Sequence, residues 1–253
     1  MKNNLRQIAV IIVVLVTLII NILADALPLN GLNTGKISDS FHVYFVPAGY
    51  VFAIWGLIYI GLLTYAIFQA LPAQKENPRL LATGWWVVLG CLANSMWIFL
   101  WHYELFTGTL AAMLVLLASL IATYIRLNTR QAKVSTSETW LVRVPFSIYL
   151  GWITVATIAN VTDVLSYLKW NQFGHSDGTW MLIMLFAVVV IAGLMSFTRR
   201  DIAYAAVILW ALAGIGVKFP QQGMVTIGIW IAFGLIAVTL GVAMLLKKKT
   251  VQG

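Results

Sequence analysis

Ile8-Ala-Val-Ile-Ile-Val-Val-Leu-Val-Thr-Leu-Ile-Ile-Asn-Ile-Leu-Ala24, preceded by Lys2 and Arg6, decides the class of this chain. A bilayer core about 30 Å thick takes about 20 apolar residues of helix. Apolar runs of this kind recur along the 253 residues, with spans expected at 8–24, 47–70, 81–101, 106–126, 140–162, 179–198, 202–217 and 223–246. The seventh is the shortest. The expected fold is all-α: a polytopic membrane protein of about eight transmembrane helices.

Threading those spans through a membrane sorts the charges. Thirteen of the 16 Lys and Arg fall on one side: Lys2, Arg6, Lys75, Arg79, Arg126, Arg130, Lys133, Arg143, Arg199, Arg200 and Lys247 to Lys249. Lys36, Lys169 and Lys218 fall on the other. Basic flanks resist translocation, so both termini are expected in the cytoplasm. A multi-pass protein of the cell membrane, in a bacterium the inner membrane, is the expected setting. The first run also carries features of a signal peptide, with Ala24-Asp25-Ala26 resembling a small-x-small cleavage site. It is long for that role, and a retained helix is the expectation.

Composition agrees. The chain is 61% apolar and only 9% charged, against about 25% charged in a soluble domain. The net charge of +8 follows from topology, so nucleic acid is not an expected partner. Membrane lipids are, and the tail Lys247 to Lys249 reads first as a flank that stops transfer. Cys91 is the single cysteine, so no internal disulfide can form.

Two connections are long, residues 25–46 and 163–178, both on the extracytoplasmic side. Loops of that kind over a helix bundle often serve as lids. No Asp, Glu, Lys or Arg is expected deep within a span, which weakens an ion-coupled mechanism. His42, His102 and His175 all fall in connections, without the spacing of a shared metal site.

The chemistry is then left to aromatics, amides and hydroxyls. Trp85, Trp140, Trp170 and Trp180 sit at span ends, where an indole suits the interface. Trp55, Trp97 and Trp152 lie well inside spans, where an indole N–H wants a partner. Helical spacing gathers further groups around each. Phe52, Trp55 and Tyr59 share one face of the second span. Gly90, Asn94, Trp97 and Trp101 share one face of the third. Tyr149, Trp152, Ala156 and Asn160 share one of the fifth. Such stripes serve helix packing, and the same stripes can line an apolar cavity with a few placed polar groups.

Three stretches resemble the TspO/MBR family, which includes the tryptophan-rich sensory proteins and the translocator protein, or peripheral benzodiazepine receptor. They are Pro47-Ala-Gly-Tyr-Val-Phe-Ala-Ile-Trp-Gly-Leu-Ile-Tyr59, Leu92-Ala-Asn-Ser-Met-Trp97 and Pro145-Phe-Ser-Ile-Tyr-Leu-Gly-Trp-Ile-Thr-Val-Ala-Thr-Ile-Ala-Asn160. They fall in the family's order, on its second, third and fifth helices. The resemblance covers about residues 8–170, so the expected division is a TspO-like five-helix bundle over 1–170 and three additional helices with a basic tail over 171–253. Only Pro47 matches the Trp and two prolines usual before the second helix, and Phe99-Leu-Trp101 stands where the family has paired Phe.

The resemblance implies a cavity under the first long loop that takes porphyrins, isoquinoline and benzodiazepine drugs, and in animals cholesterol. It implies that Trp55, Asn94, Trp97, Trp152, Ala156 and Asn160 line or support that cavity, and Phe52, Tyr59 and Tyr149 join the expected ligand-binding residues through the helical faces they share with these tryptophans. Leu165-Ser-Tyr-Leu-Lys169 and Leu120-Ile-Ala-Thr-Tyr-Ile-Arg126 also fit the loose sterol pattern. The expected function is binding of a flat hydrophobic ligand, porphyrin- or tetrapyrrole-like, in a sensory, regulatory or sequestering role. No cofactor is required, and a bound porphyrin or haem would be cargo. The alternatives are a transporter of a small amphipathic metabolite, with the last three helices completing the path, and an enzyme degrading bound porphyrin. Binding is weighed above turnover, and a homodimer stays open.

Overall fold

A computed structural model describes residues 2–27, 29–127 and 132–246. Pro28, Arg130 and the basic tail Lys247 to Lys249 lie outside the described residues. The described chain is helical: α1 (Lys2–Ala26), a short α2 (Thr34–Asp39), α3 (Ile54–Ala70), α4 (Pro78–His102), α5 (Phe106–Arg126), one turn α6 (Thr136–Glu138), α7 (Val144–Tyr167), α8 (Asp177–Arg199), α9 (Ile202–Lys218) and α10 (Met224–Leu245). Among the described residues, seven stretches are long and apolar enough to cross a membrane, α3 counting together with the turn before it as Gly49–Ala70, and α9, with 17 residues, falls just short of them. At 1.5 Å per residue it still spans about 25 Å.

The ends follow local chemistry. Asn77 caps α4 with Pro78 at the first helical position, and Ser176 caps α8. Arg200 adopts a left-handed conformation after α8, and Asp201 caps α9, so the chain reverses in two residues. One π turn, Thr139–Arg143, leads into α7 just before Pro145, where the missing N–H breaks the ordinary ladder.

Five helices close into a ring. α1 packs on α3, α3 on α7, α7 on α5, α5 on α4, and α4 returns to α1. Polar side chains fasten it from within. Thr17 on α1 donates to the Cys91 carbonyl of α4, and Gln7 on α1 donates to the Gln69 carbonyl of α3 while Gln69 donates back to that of Gln7. At the basic end Arg79 on α4 pairs with buried Glu138, its Nη2 lying 2.8 Å from Oε2.

The remaining helices form a three-helix group. α10 packs on both α8 and α9, and α9 alone makes a broad contact with the ring, through α7. That contact is close because Gly151 faces Tyr204 and Val207; a Cβ there would lie 2.9 Å from the Tyr204 carbonyl oxygen. Asp201 completes the joint, accepting hydrogen bonds from Tyr124 on α5 at 2.7 Å and Ser147 on α7 at 2.6 Å.

One expectation about charge is corrected. Asp163 does not lie in a connection: α7 runs on to Tyr167 and holds it buried. Buried charge also stands at or beyond the ends of the expected spans, at Arg6, Glu138, Arg143 and, just before α9, Asp201. The apolar runs marked only the lipid-compatible part of each helix, and the helices continue past those runs into polar sequence. His102 departs too. It ends α4 almost fully enclosed, with its ring nitrogens beside the Thr34 hydroxyl and the Leu29 carbonyl.

Candidate functional site

A short 3-10 segment, Gly49–Ala53, follows Pro47 and leads directly into α3, carrying Phe52 and then Trp55 toward α7. It is held from outside the ring. The Ala48 N–H donates to the Gly214 carbonyl, Trp210 Nε1 donates to the Val51 carbonyl at 3.1 Å, and Tyr50 stands edge-on to Trp210. Gly214 is required by this approach, because a Cβ there would sit 2.1 Å from a Val51 methyl.

Five of the nine expected residues then meet in one aromatic cluster. Trp55 stacks on Tyr59 at 5.6 Å and meets Tyr149 and Trp152 edge-on at 6.1 and 6.2 Å. Phe52 meets Trp152 edge-on at 5.8 Å. Tyr149 and Trp152 are buried, while Phe52, Trp55 and Tyr59 are half-buried, so one side of the cluster is accessible.

Asn94 joins this cluster through a hydrogen-bond chain across the ring. Asn21 Nδ2 on α1 donates to Asn94 Oδ1 at 2.7 Å, and Asn94 Nδ2 donates to Tyr149 Oη at 3.1 Å. Both amides are nearly inaccessible. Interhelical bonds of this kind contribute on the order of 1 kcal/mol each, and here they fix the rotamer of a phenol that touches Trp55.

Trp97 and Asn160 have other partners. Trp97 stacks on Trp101 at 5.1 Å. Phe106 stands edge-on to Trp101, and Phe41, from the first long loop, stands edge-on to Phe106. Asn160 donates to Thr109 Oγ1 on α5 at 2.9 Å. Ala156 lies half-buried between Trp152 and Asn160 along α7. The first long loop closes over the end of α4: Trp101 Nε1 donates to the Thr34 carbonyl, and Asn30 donates to that of His102.

Several buried polar atoms along these stripes have no partner: Trp97 Nε1, Trp152 Nε1, Asn160 Oδ1 and Asp163 Oδ1. Buried polar groups are normally satisfied, so each vacancy asks for an account. Asn21, Thr109 and Asp163 were not picked out from sequence. An asparagine inside the first apolar run was the available signal for Asn21; Asp163 follows Asn160 by three residues, one helical turn on the same face.

Two clefts lie elsewhere, and neither is lined by any of the nine residues. One, beside His42, Thr162, Trp170 and Trp180, encloses only about 50 Å³, far below the ~300–1,000 Å³ of a small-molecule pocket. The other, of about 1100 Å³, opens at the basic end between the ring and the three-helix group.

The architecture defines a class: a polytopic α-helical membrane protein whose five-helix ring carries aromatic and amide side chains on its inner faces. Within that class the chain belongs to the family of TSPO-like proteins, whose model matches residues 7–245. The match runs through α8, α9 and α10 as well as the five helices that carry the three motifs. No curated protein and no solved structure matches the chain.

Proposed function

We propose that this protein binds a flat, hydrophobic, ring-containing molecule of the tetrapyrrole class within its five-helix ring, in a sensory, regulatory or sequestering role. The observation that carries the reading is the aromatic cluster of Phe52, Trp55, Tyr59, Tyr149 and Trp152, with the Trp152 N–H buried beside it and unpartnered. Indole and phenol faces suit a planar π-system, at about 0.5–1.5 kcal/mol per aromatic pair beyond burial. An unpaired N–H suits a ligand carboxylate or carbonyl. Asn160 Oδ1, one acceptor without a donor, suits a ligand N–H. Neither nitrogen of His102 is left for an iron, given its contacts to Thr34 and Leu29, so a haem would be held by its faces and edges.

Admitting a macrocycle requires the half-buried rings of Phe52 and Trp55 to part from Trp152. The membrane is the cell membrane, with both termini in the cytoplasm, on the strength of the basic asymmetry. Protoporphyrin titrated into the detergent-purified protein is expected to quench tryptophan fluorescence saturably at one equivalent. Linear, non-saturating quenching would count against a site. Flux through reconstituted vesicles would support transport instead, and product formed in the dark would support turnover.

A further inference from the structure

The cleft at the basic end plays no part in the reading above. Its rim carries Lys133, Arg143, Arg199 and Arg200, with Asp201 as the acidic group among its lining residues. Asp201 accepts hydrogen bonds from Tyr124, Ser147 and the Tyr204 N–H, and its single charge leaves the four cations of the lining with a net positive balance. Arg143 is buried and rigidly placed: Nη1 donates to the Ala132 carbonyl at 2.6 Å and Nη2 to that of Leu127 at 2.8 Å. Its Nε has no partner, nor has Nη1 of Arg199. Two guanidinium groups therefore keep buried donors unsatisfied in a cleft of net positive charge. A buried cationic donor without an acceptor is costly, and an oxyanion is the ligand that would satisfy it.

Apart from Thr139, Ser147 and Thr198, the rest of the lining is apolar, and much of it faces outward. Trp140, Phe197, Ile202 and Met244 are exposed on their helices, with small Ala203 and Ala206 between them. In a membrane such a surface meets acyl chains, and Trp140 sits where an indole marks the interface. A free phosphate would use the rim and leave this wall unused. A diacyl lipid with an anionic headgroup uses both.

We propose that this cleft is a binding site for an anionic phospholipid of the leaflet at the basic end, its phosphate held by Arg143, Arg199 and Arg200 and its acyl chains lying along Phe197, Ala206 and Met244. The lipid would bridge α7 of the ring and the α8–α9 turn.

The test is native mass spectrometry of the full chain in a neutral detergent, titrated in parallel with phosphatidylglycerol, phosphatidylcholine and inorganic phosphate. Phosphatidylglycerol is expected to give a retained one-to-one adduct at least tenfold more tightly than phosphatidylcholine, with millimolar inorganic phosphate failing to displace it. Arg199→Gln with Arg200→Gln should weaken the adduct at least tenfold, while Arg126→Gln, outside the cleft, leaves it unchanged. Ala206→Trp keeps every charge, fills the acyl wall and should also weaken it, which separates loss of the site from a folding defect of the arginine variant. Equal binding of the two lipids, displacement by phosphate, or equal loss in Arg126→Gln would overturn the proposal.

Discussion

The five-helix ring and the three-helix group solve the same problem of burying helices in lipid by different means. The ring is laced with polar side chains: Thr17, Asn21, Gln69, Asn94, Thr109, Thr157 and Asn160 are all buried there. Among the described residues, Ser196 and Asp201 are the buried polar side chains beyond residue 170. α7 of the ring is the most enclosed span, whereas α8 and α10 present most of their surface outward. The three-helix group is held by apolar and small-residue packing, and its polar investment is concentrated in Asp201, at the joint. A polar group inside a membrane protein serves interhelical hydrogen bonding or function. The contrast agrees with the proposal that ligand chemistry belongs to the ring, with α9 as its support.

Breaking the joint should have the largest effect. Asp201→Ala removes the α9 cap and the acceptor of two buried hydroxyls, and is expected to lower stability by about 2–4 kcal/mol, read as the midpoint of thermal unfolding in detergent. A midpoint near the parent's would mean that the two groups are held together elsewhere. Gly214→Val attacks the second contact. Its side chain collides with Val51, and overpacking of this kind costs about 1–3 kcal/mol. Because Val51 precedes Phe52 directly, this change should also weaken ligand binding, although residue 214 lies outside the ring. Unchanged binding would make α9 a passive neighbour.

Within the ring, Asn94→Leu breaks the chain from Asn21 to Tyr149, with a loss of about 1 kcal/mol and a weaker ligand complex through the freed phenol. Equal ligand affinity in parent and variant would show that the chain serves packing only. The smallest effect belongs to the three-helix group. Ser196 is buried with an unpartnered hydroxyl, so Ser196→Ala should lie within about 0.5 kcal/mol of the parent, neutral or stabilising. A large loss there would blur the distinction between the two groups.

Which parts of this were legible in the sequence follows from what periodicity encodes. Apolar run length found every long helix, because a helix in lipid must hide its whole backbone. It missed the ends, as at Lys2–Ala26 and Val144–Tyr167, where polar turns extend a helix beyond its lipid-facing stretch. Stripes identified which face of each helix carries aromatics, and Phe52, Trp55, Tyr59, Tyr149 and Trp152 do meet. A stripe does not say which partner helix it faces or at what depth. Trp97 therefore stacks on Trp101 rather than meeting Trp152, and Asn94, one turn before it, reaches Tyr149 instead. Gly151 and Gly214 read as ordinary glycines until α9 is seen against them.

The central claim is that the tryptophans of the ring hold a ligand and not merely each other. Its most direct test is the dissociation constant for protoporphyrin, measured by absorbance on the detergent-purified parent and on Trp55→Phe combined with Trp152→Phe. Losing two indole contacts and the Trp152 N–H should weaken binding about tenfold or more, with circular dichroism unchanged. Equal affinity in parent and double variant would contradict the account and leave the aromatic cluster as helix packing.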